Sequence, residues 1–277
     1  MRSLLATLAV TSMLVCAGCV SSLRTPPPVS AIGTGTSGAG LSSTSTPQPG
    51  DVSVLLARSA ALFARRPDTA AVEQARELAL AAARADESRV EGLLGAAVTG
   101  AWLIEHSSDG SRRAALATEG VQLAQWCRER APERIDCDYR LALALGQQAR
   151  ERPATAADAL PRITALLGKV VAGAPELDEA GGHRVLALVL LRAPAWPIGP
   201  GDPEQGLEHA REALRLSPAY PPNLLALAEA LAATGKADEA LVAWNQAEAL
   251  ARQRLAACDP DAGEWIDQAS RAAAAGR

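Results

Sequence analysis

The sequence predicts an all-α fold, an α-solenoid built from repeated helix pairs, and three observations predict it. The chain of 277 residues is 48% hydrophobic but only 3% aromatic, and alanine and leucine dominate, which favours helices packed through small side chains over a β-sandwich. Pro132, Pro175 and Pro218 follow one another at intervals of 43 residues, as expected for prolines at the ends of repeated helices. Between residues 221 and 250, small and large side chains recur at helical spacing.

The folded part is predicted as one domain, residues 51–277, of about five helix pairs and a capping helix. The last helix should start at Pro260 and cap the stack, because a terminal repeat needs a polar outer face. The predicted pairs are 51–65 with 69–86, 89–106 with 111–130, 135–151 with 155–173, 178–193 with 203–217, and 221–234 with 236–256.

Local chemistry supports several of these boundaries. Asp202-Pro203 and Asp259-Pro260 predict helix starts, because aspartate accepts a hydrogen bond as an N-cap and proline suits the first helical position. Gly235 fits the position just after a helix end, where a left-handed residue is common.

The fifth pair carries the most specific pattern. Its signature positions are occupied by Leu224, Leu227, Ala228, Leu231, Gly235, Ala240, Trp244 and Ala247. This pattern resembles the tetratricopeptide repeat (TPR), in which small residues let two antiparallel helices approach closely and large ones fill the gap. Such a unit cannot bury its apolar face alone, so the resemblance implies stacked neighbours.

The second helix of the third pair departs from this pattern. Ile163, Leu167 and Val170 stand where the other pairs carry small residues, so the third pair is expected to pack more loosely or to splay. Pro161 would lie inside the same helix, which predicts a late start or a kink. The equivalent small residues elsewhere are Ala75, Ala79 and Ala82, then Gly120, Ala124 and Cys127, and then Gly206, Ala210 and Ala213.

The N-terminus predicts export. Residues 1–18 read as a signal peptide, with Arg2 before an apolar stretch at 4–15 that is too short to span a membrane. Residues 19–50 are rich in Ser, Thr, Gly and Pro and lack apolar periodicity, which predicts a disordered tether.

The signal peptide ends in a run that resembles a bacterial lipobox, Cys16-Ala17-Gly18-Cys19. The resemblance implies that Cys19 becomes the lipidated first residue, and Val20 in place of aspartate implies an outer-membrane anchor that faces the periplasm. Cys16 stands where lipoboxes usually carry leucine, so an ordinary signal peptide is the alternative.

Charge and motif content exclude several classes of function. The formal net charge is -4 and Lys169 and Lys236 are the only lysines, which argues against nucleic acid and anionic lipid as partners. His106, His183 and His209 fall in different repeats without metal-ligand spacing. We therefore expect no catalytic residue, metal or cofactor; carboxylates or cysteines that converge in one pocket would instead indicate a cell-wall enzyme.

Cys127 and Cys137 flank the turn at Pro132. Antiparallel neighbours in that relation bring two sulfurs together, and export permits a disulfide. The alternative is two buried free thiols. No disulfide partner is predicted for Cys258.

The first helix of each pair should line the concave face, which predicts a binding groove. Tyr139, Leu225 and Glu229 are our candidate binding residues there. The full set is Glu91, Leu94, Val98, Ala101, Asp136, Tyr139, Leu143, Gly146, Pro222, Leu225, Glu229 and Ala232. Such a groove is apolar with acidic edges, so it suits an apolar or basic segment or a small apolar ligand. The same residues could equally be helix-helix contacts.

The irregular segment 193–201 interrupts the fourth pair. Insertions in a solenoid often touch a partner, which makes Trp196 a candidate binding residue. The alternative is that Trp196 folds back and plugs the gap between repeats.

This segment and the helix after it resemble the TRAP-transporter-associated TPR lipoproteins, the T component. The matching residues are Gly199, Gly201, Asp202, Pro203 and Glu204, although Pro200 splits the glycine pair. The resemblance implies a lipid-anchored helical protein that forms trimers and helps a periplasmic solute-binding protein handle small organic acids.

Together these observations predict a lipid-anchored periplasmic TPR scaffold that binds another envelope protein and is not an enzyme. The alternative is a TRAP-type accessory of solute uptake that holds a small organic ligand. A closed apolar tunnel would favour the second, and an open groove the first.

Overall fold

The computed structural model describes residues 49–275, with side chains from residue 51 onward. The predicted signal peptide, Cys19 and nearly all of the predicted tether lie outside the described residues. The first helix already begins at Pro49, two residues before the predicted domain boundary.

The described residues form eleven α-helices packed in consecutive antiparallel pairs, which confirms the all-α solenoid. One short 3-10 turn, Pro153–Thr155, precedes the sixth helix. The helices are α1 (Pro49–Phe63), α2 (Thr69–Ala85), α3 (Glu91–Glu105), α4 (Gly110–Arg130), α5 (Ile135–Glu151), α6 (Ala156–Gly173), α7 (Leu177–Arg192), α8 (Pro203–Leu216), α9 (Pro221–Ala233), α10 (Ala237–Ala256) and α11 (Ala262–Ala275).

Most helix ends follow the capping chemistry of the sequence. Helix α8 starts at Pro203, and the Asp202 carboxylate accepts the backbone N–H of Gln205 at 3.0 Å. After α9, Gly235 adopts φ 77°, and its own N–H and that of Lys236 donate back to the last turn at 3.1 and 2.8 Å, which is a Schellman end.

One predicted helix start was wrong, and one expected displacement does not occur. Helix α11 begins at Ala262, not at Pro260, because Asp259 accepts the N–H of Asp261 in a turn ahead of the helix. Helix α6 does not start late: it begins at Ala156 and holds Pro161 in its second turn.

Small residues set the spacing of the helices. Ala75 and Ala79 of α2 are fully buried, and Gly92 of α3 lies against this helix. A Cβ on Gly92 would stand 2.5 Å from the backbone nitrogen of Ala83, far inside van der Waals contact. Helices α2 and α3 therefore touch backbone to backbone at this point.

The third pair is not loose, contrary to the sequence expectation. Ile163, Leu167 and Val170 are all buried, and α6 packs along α5 as fully as other partners do. The thinner contact lies between α6 and α7, where Gly182 makes room for Val170: a Cβ there would approach its side chain to 2.8 Å. The large side chains are thus accommodated by the next helix.

The solenoid curves until its two ends meet. The guanidinium of Arg66, just after α1, donates two hydrogen bonds of 2.9 Å to the carboxylate of Asp261, just before α11. Nearby, His106 Nε2 lies 3.9 Å from a carboxylate oxygen of Glu264. The loops at the start of the repeat domain therefore contact the beginning of its last helix.

Candidate binding groove

An open groove of about 710 Å³ runs over the middle of the solenoid. It is formed by α3, α5 and α7, with the start of α6 and the first residues of the loop after α7. Its lining is mostly apolar and consists of Ala101, Ala142, Leu143, Gly146, Ala149, Ala156, Leu160, Ile163, Val185, Leu188, Val189, Ala193 and Pro194, with Glu105, Gln147, Arg150 and Arg192 as the polar members. A surface of this kind buries apolar groups and orients them at a few polar points.

Two arginine-glutamate pairs stand at the groove. Arg150 donates two hydrogen bonds to Glu105, at 2.7 and 3.0 Å, and Arg192 donates two to Glu229, at 2.6 and 2.7 Å. These hydrogen bonds raise the pKa of both arginines, which stay charged. The Arg150–Glu105 pair joins α5 to α3, and the Arg192–Glu229 pair joins α7 to α9.

The predicted acidic edges are therefore neutralised. Glu91 and Asp136 both accept hydrogen bonds from Arg134, at 3.1 Å and as short as 2.5 Å. The bond from Arg134 lowers the pKa of Asp136. Glu229 is also paired. The acidic residues therefore give no reason to expect a basic partner, and a ligand in the groove would contact mainly its apolar lining.

The structure divides the predicted groove residues. Ala101, Leu143 and Gly146 line the groove. Tyr139 and Leu225 do not: both are buried in the core. These two residues are packed between helices, which is the alternative that the sequence left open. A helix face that packs against a neighbouring helix is not free to contact a ligand.

A buried polar network, which sequence reasoning missed, holds α5, α7 and α9 together. Tyr139 donates its hydroxyl hydrogen to Asp178 at 2.6 Å, and burial raises the pKa of Tyr139. Arg184 donates to the carbonyls of Asp178 and Glu179 and to the side-chain oxygen of Asn223, at 3.0 to 3.2 Å. The one sequence signal was an asparagine placed within the apolar first turn of α9.

This network supports an unusual backbone. Asp178, Glu179 and Ala180 all have φ between 54° and 61°, a left-handed conformation that costs non-glycine residues about 1 kcal/mol or more each. Arg184 and the side-chain amide of Asn223, which donates to the Glu179 carbonyl at 3.0 Å, bind the partly buried carbonyls of this turn. The first turn of α7 is therefore held by side chains.

Trp196 points into solvent, so it does not plug the gap between repeats. Its side chain is 87% exposed, and that of Ile198 is 83% exposed. The loop is nevertheless ordered by backbone hydrogen bonds, from Gly201 to Pro194 at 2.8 Å and from Asp202 to Leu190 at 2.9 Å. Because Pro194 lines the groove, the loop that exposes Trp196 and Ile198 begins at the edge of the groove.

Among the described cysteines, two are bridged and one is free, and two of the histidines are in contact. Cys127 and Cys137 form a disulfide with their Cα atoms 5.4 Å apart, which joins α4 to α5, whereas Cys258 is exposed and free. The assignment of His183 and His209 to different repeats was wrong: they lie on α7 and α8, the two helices of one pair, and their Nδ1 atoms are 3.0 Å apart.

Within residues 49–275, no group of three or more His, Cys, Asp or Glu side chains is placed to hold a metal ion. In the same part of the chain, no helix is both long and apolar enough to cross a membrane.

The fold and the groove define the class as a TPR-like helical-repeat protein. Among solved structures, the chain is similar to TTC0263, a thermophilic TPR protein in Thermus thermophilus, with 20% sequence identity and a TM-score of 0.59 over 79% of this chain and 98% of that one. This likeness is one of fold. No protein-family model matches the chain, and no curated protein matches it significantly.

Proposed function

We propose that this protein is a non-catalytic scaffold whose groove binds an apolar segment of another protein. The observation that carries the proposal is the open apolar groove next to the exposed Trp196 and Ile198. Exposed large apolar side chains beside an apolar concavity are typical of protein-binding surfaces. The similarity to a TPR protein supports the proposal, because stacked helical repeats form extended concave binding surfaces.

The two parts of this surface have complementary roles. Several groove residues, among them Leu143, Ile163 and Val189, belong to the core or pack against it, so they offer a preformed site at little entropic cost. Trp196 and Ile198 lie on a short loop and add a large area that a partner can cover. A partner segment would lie with apolar side chains in the groove and pass between the Arg150 and Arg192 ion pairs.

A crosslinking experiment tests this proposal. A photo-crosslinking amino acid in place of Trp196 should capture the partner in cells, and the additional substitution Leu188→Glu in the groove should abolish capture. The matched control places the same crosslinker at Val242, an exposed apolar residue of α10. Capture at Val242 to the same extent, or capture that survives Leu188→Glu, would contradict the proposal.

We further propose that the scaffold is exported and anchored to the bacterial outer membrane by a lipid on Cys19. The lipobox-like Cys16-Ala17-Gly18-Cys19 supports this, since a multiply acylated cysteine anchors stably. Cells fed labelled palmitate should label the wild type and the Cys258→Ser control, but not Cys19→Ser. Equal labelling of Cys19→Ser would refute the anchor.

The groove volume favours one second candidate, a TRAP-type accessory that holds a small organic ligand. A volume of about 710 Å³ lies within the usual range for small-molecule pockets. Native mass spectrometry of the purified protein distinguishes the two functions. A stoichiometric small ligand that Leu188→Glu removes supports the accessory, and a ligand-free protein supports the scaffold.

A further inference from the structure

His183 of α7 and His209 of α8 form a side-chain pair outside the groove. Their Nδ1 atoms lie 3.0 Å apart, with ring centroids at 5.1 Å and planes inclined by 44°. Both side chains are partly exposed, so the pair is accessible from solvent. Two helices of one repeat therefore present two imidazole nitrogens at a single point.

The separation of the two nitrogens matches the span of a metal-bound pair. Nitrogens bound to one ion at the usual Zn–N distance lie about 2.9 Å apart at a right angle and about 3.3 Å apart at the tetrahedral angle. The observed 3.0 Å falls between these values. For an ion to replace the hydrogen bond, both rings must turn so that the two Nδ1 lone pairs converge on one point beside the line that joins them.

The surroundings keep the pair neutral, which is the metal-binding form of imidazole. Burial lowers the pKa of both histidines, and the neighbouring His209 lowers that of His183 further. Glu212, one turn after His209 on α8, carries a negative charge that acts on both rings, although Arg215 holds it in an ion pair of 2.6 Å. Glu208 adds a second negative charge near His209.

We propose that His183 and His209 bind one divalent transition-metal ion of the Zn²⁺, Ni²⁺ or Cu²⁺ type through their Nδ1 atoms, with water in the remaining positions. Imidazole ligands suit these ions. Because the pair supplies only two donors, the ion is exchangeable and is not required for folding. The site is separate from the groove, so it stands or falls independently of the proposed scaffold function.

Calorimetric titration of the purified full-length protein with Zn²⁺ tests the site, after free thiols have been alkylated. We expect one Zn²⁺ per chain for the wild type. His183→Gln and His209→Gln, which keep a hydrogen-bonding side chain, should each weaken binding at least about tenfold, since even outer partners of a metal contribute that much. His106→Gln, the control, should bind as the wild type does.

Cu²⁺ gives a second readout that needs only the wild type. Its electron paramagnetic resonance spectrum should show hyperfine coupling to two nitrogens. Coupling to fewer than two nitrogens, no Zn²⁺ binding by the wild type, or unchanged binding by both glutamine variants would overturn the proposal.

Discussion

At the residue scale, Arg184 of α7 is the centre of the buried polar network that joins α7 to α9. It is only 9% exposed, contacts α9 through Asn223 at 3.0 Å and stacks over the ring of Tyr220 at 5.0 Å. Its charge is compensated by Asp178 at 3.1 Å. A buried charge of this kind is tolerated because it is paired and hydrogen-bonded.

We expect Arg184→Ala to lower the free energy of unfolding by about 2 to 4 kcal/mol, because it leaves partly buried carbonyls and the buried Asn223 amide oxygen unpaired. Urea denaturation followed by circular dichroism measures the change. Arg211→Ala on the exposed face of α8 is the matched control and should change stability by less than about 0.5 kcal/mol. Similar values for the two variants would show that the network is dispensable.

Sequence reasoning could not find this network because its members are far apart in the chain. Arg184 and Asn223 are separated by 39 residues, and each alone looks like an ordinary polar residue. For Tyr139, the repeat position predicted a groove residue, but its hydroxyl donates to Asp178. Pattern assigns a residue to a helix face, and packing decides which neighbour that face meets.

At the scale of elements, close backbone approach and covalent linkage position the helices. Gly92 allows α3 to contact α2, and the disulfide ties α4 to α5. Both features were visible as residue types in the sequence, since glycines and alanines at helical spacing indicate close packing. Which glycine carries the contact was not visible: Gly168 has no heavy atom within 4 Å of its Cβ position.

Gly92→Ala should therefore destabilise the protein by about 1 to 3 kcal/mol through overpacking. Gly168→Ala in α6 is the control, and it should stabilise by up to about 1 kcal/mol through helix propensity. Denaturation midpoints in urea report both effects. If Gly92→Ala were as stable as the wild type, the close approach of α2 and α3 would be incorrect.

Removal of the disulfide by the paired substitution Cys127→Ser and Cys137→Ser should cost about 2 to 3 kcal/mol, because the unfolded chain regains loop entropy. Cys258→Ser should have no comparable effect, since that residue is exposed. Thermal unfolding of the three proteins with and without reductant measures this. A reductant that leaves the wild-type transition unchanged would argue against the bridge.

At the scale of the whole molecule, the curvature of the stack brings residues 195 positions apart into contact. The side chain of Arg66 is 12% exposed and that of Asp261 33%, so their ion pair is partly shielded from water and stronger than a surface pair. The contact joins the start of the repeat domain to its last helix. This contact restrains the two ends of the curved solenoid from separating.

Arg66→Ala should raise amide hydrogen exchange in residues 262–275, because it frees the start of α11 from the first loop. Arg65→Ala is the matched control, since Arg65 pairs locally, with Asp68 at 2.8 Å. Mass spectrometry of exchanged peptides measures both variants. Unchanged exchange in α11 after Arg66→Ala would mean that the ends do not restrain each other.

The sequence by itself determined the helices and their order. Repeated prolines, aspartate caps and small residues at helical spacing act over a few residues, so the ends of α5 and the start of α8 were predicted to the residue. These signals depend on local hydrogen bonding and sterics, which a linear pattern records.

Tertiary structure alone decided which surfaces remained free. It placed Tyr139 and Leu225 in the core, left Trp196 in solvent, brought His183 to His209 and joined Arg66 to Asp261. Each result depends on the angle between successive pairs, and small angular differences add up along a stack. A repeat pattern specifies each pair but not that accumulated curvature, so the groove and its surroundings could be located only in three dimensions.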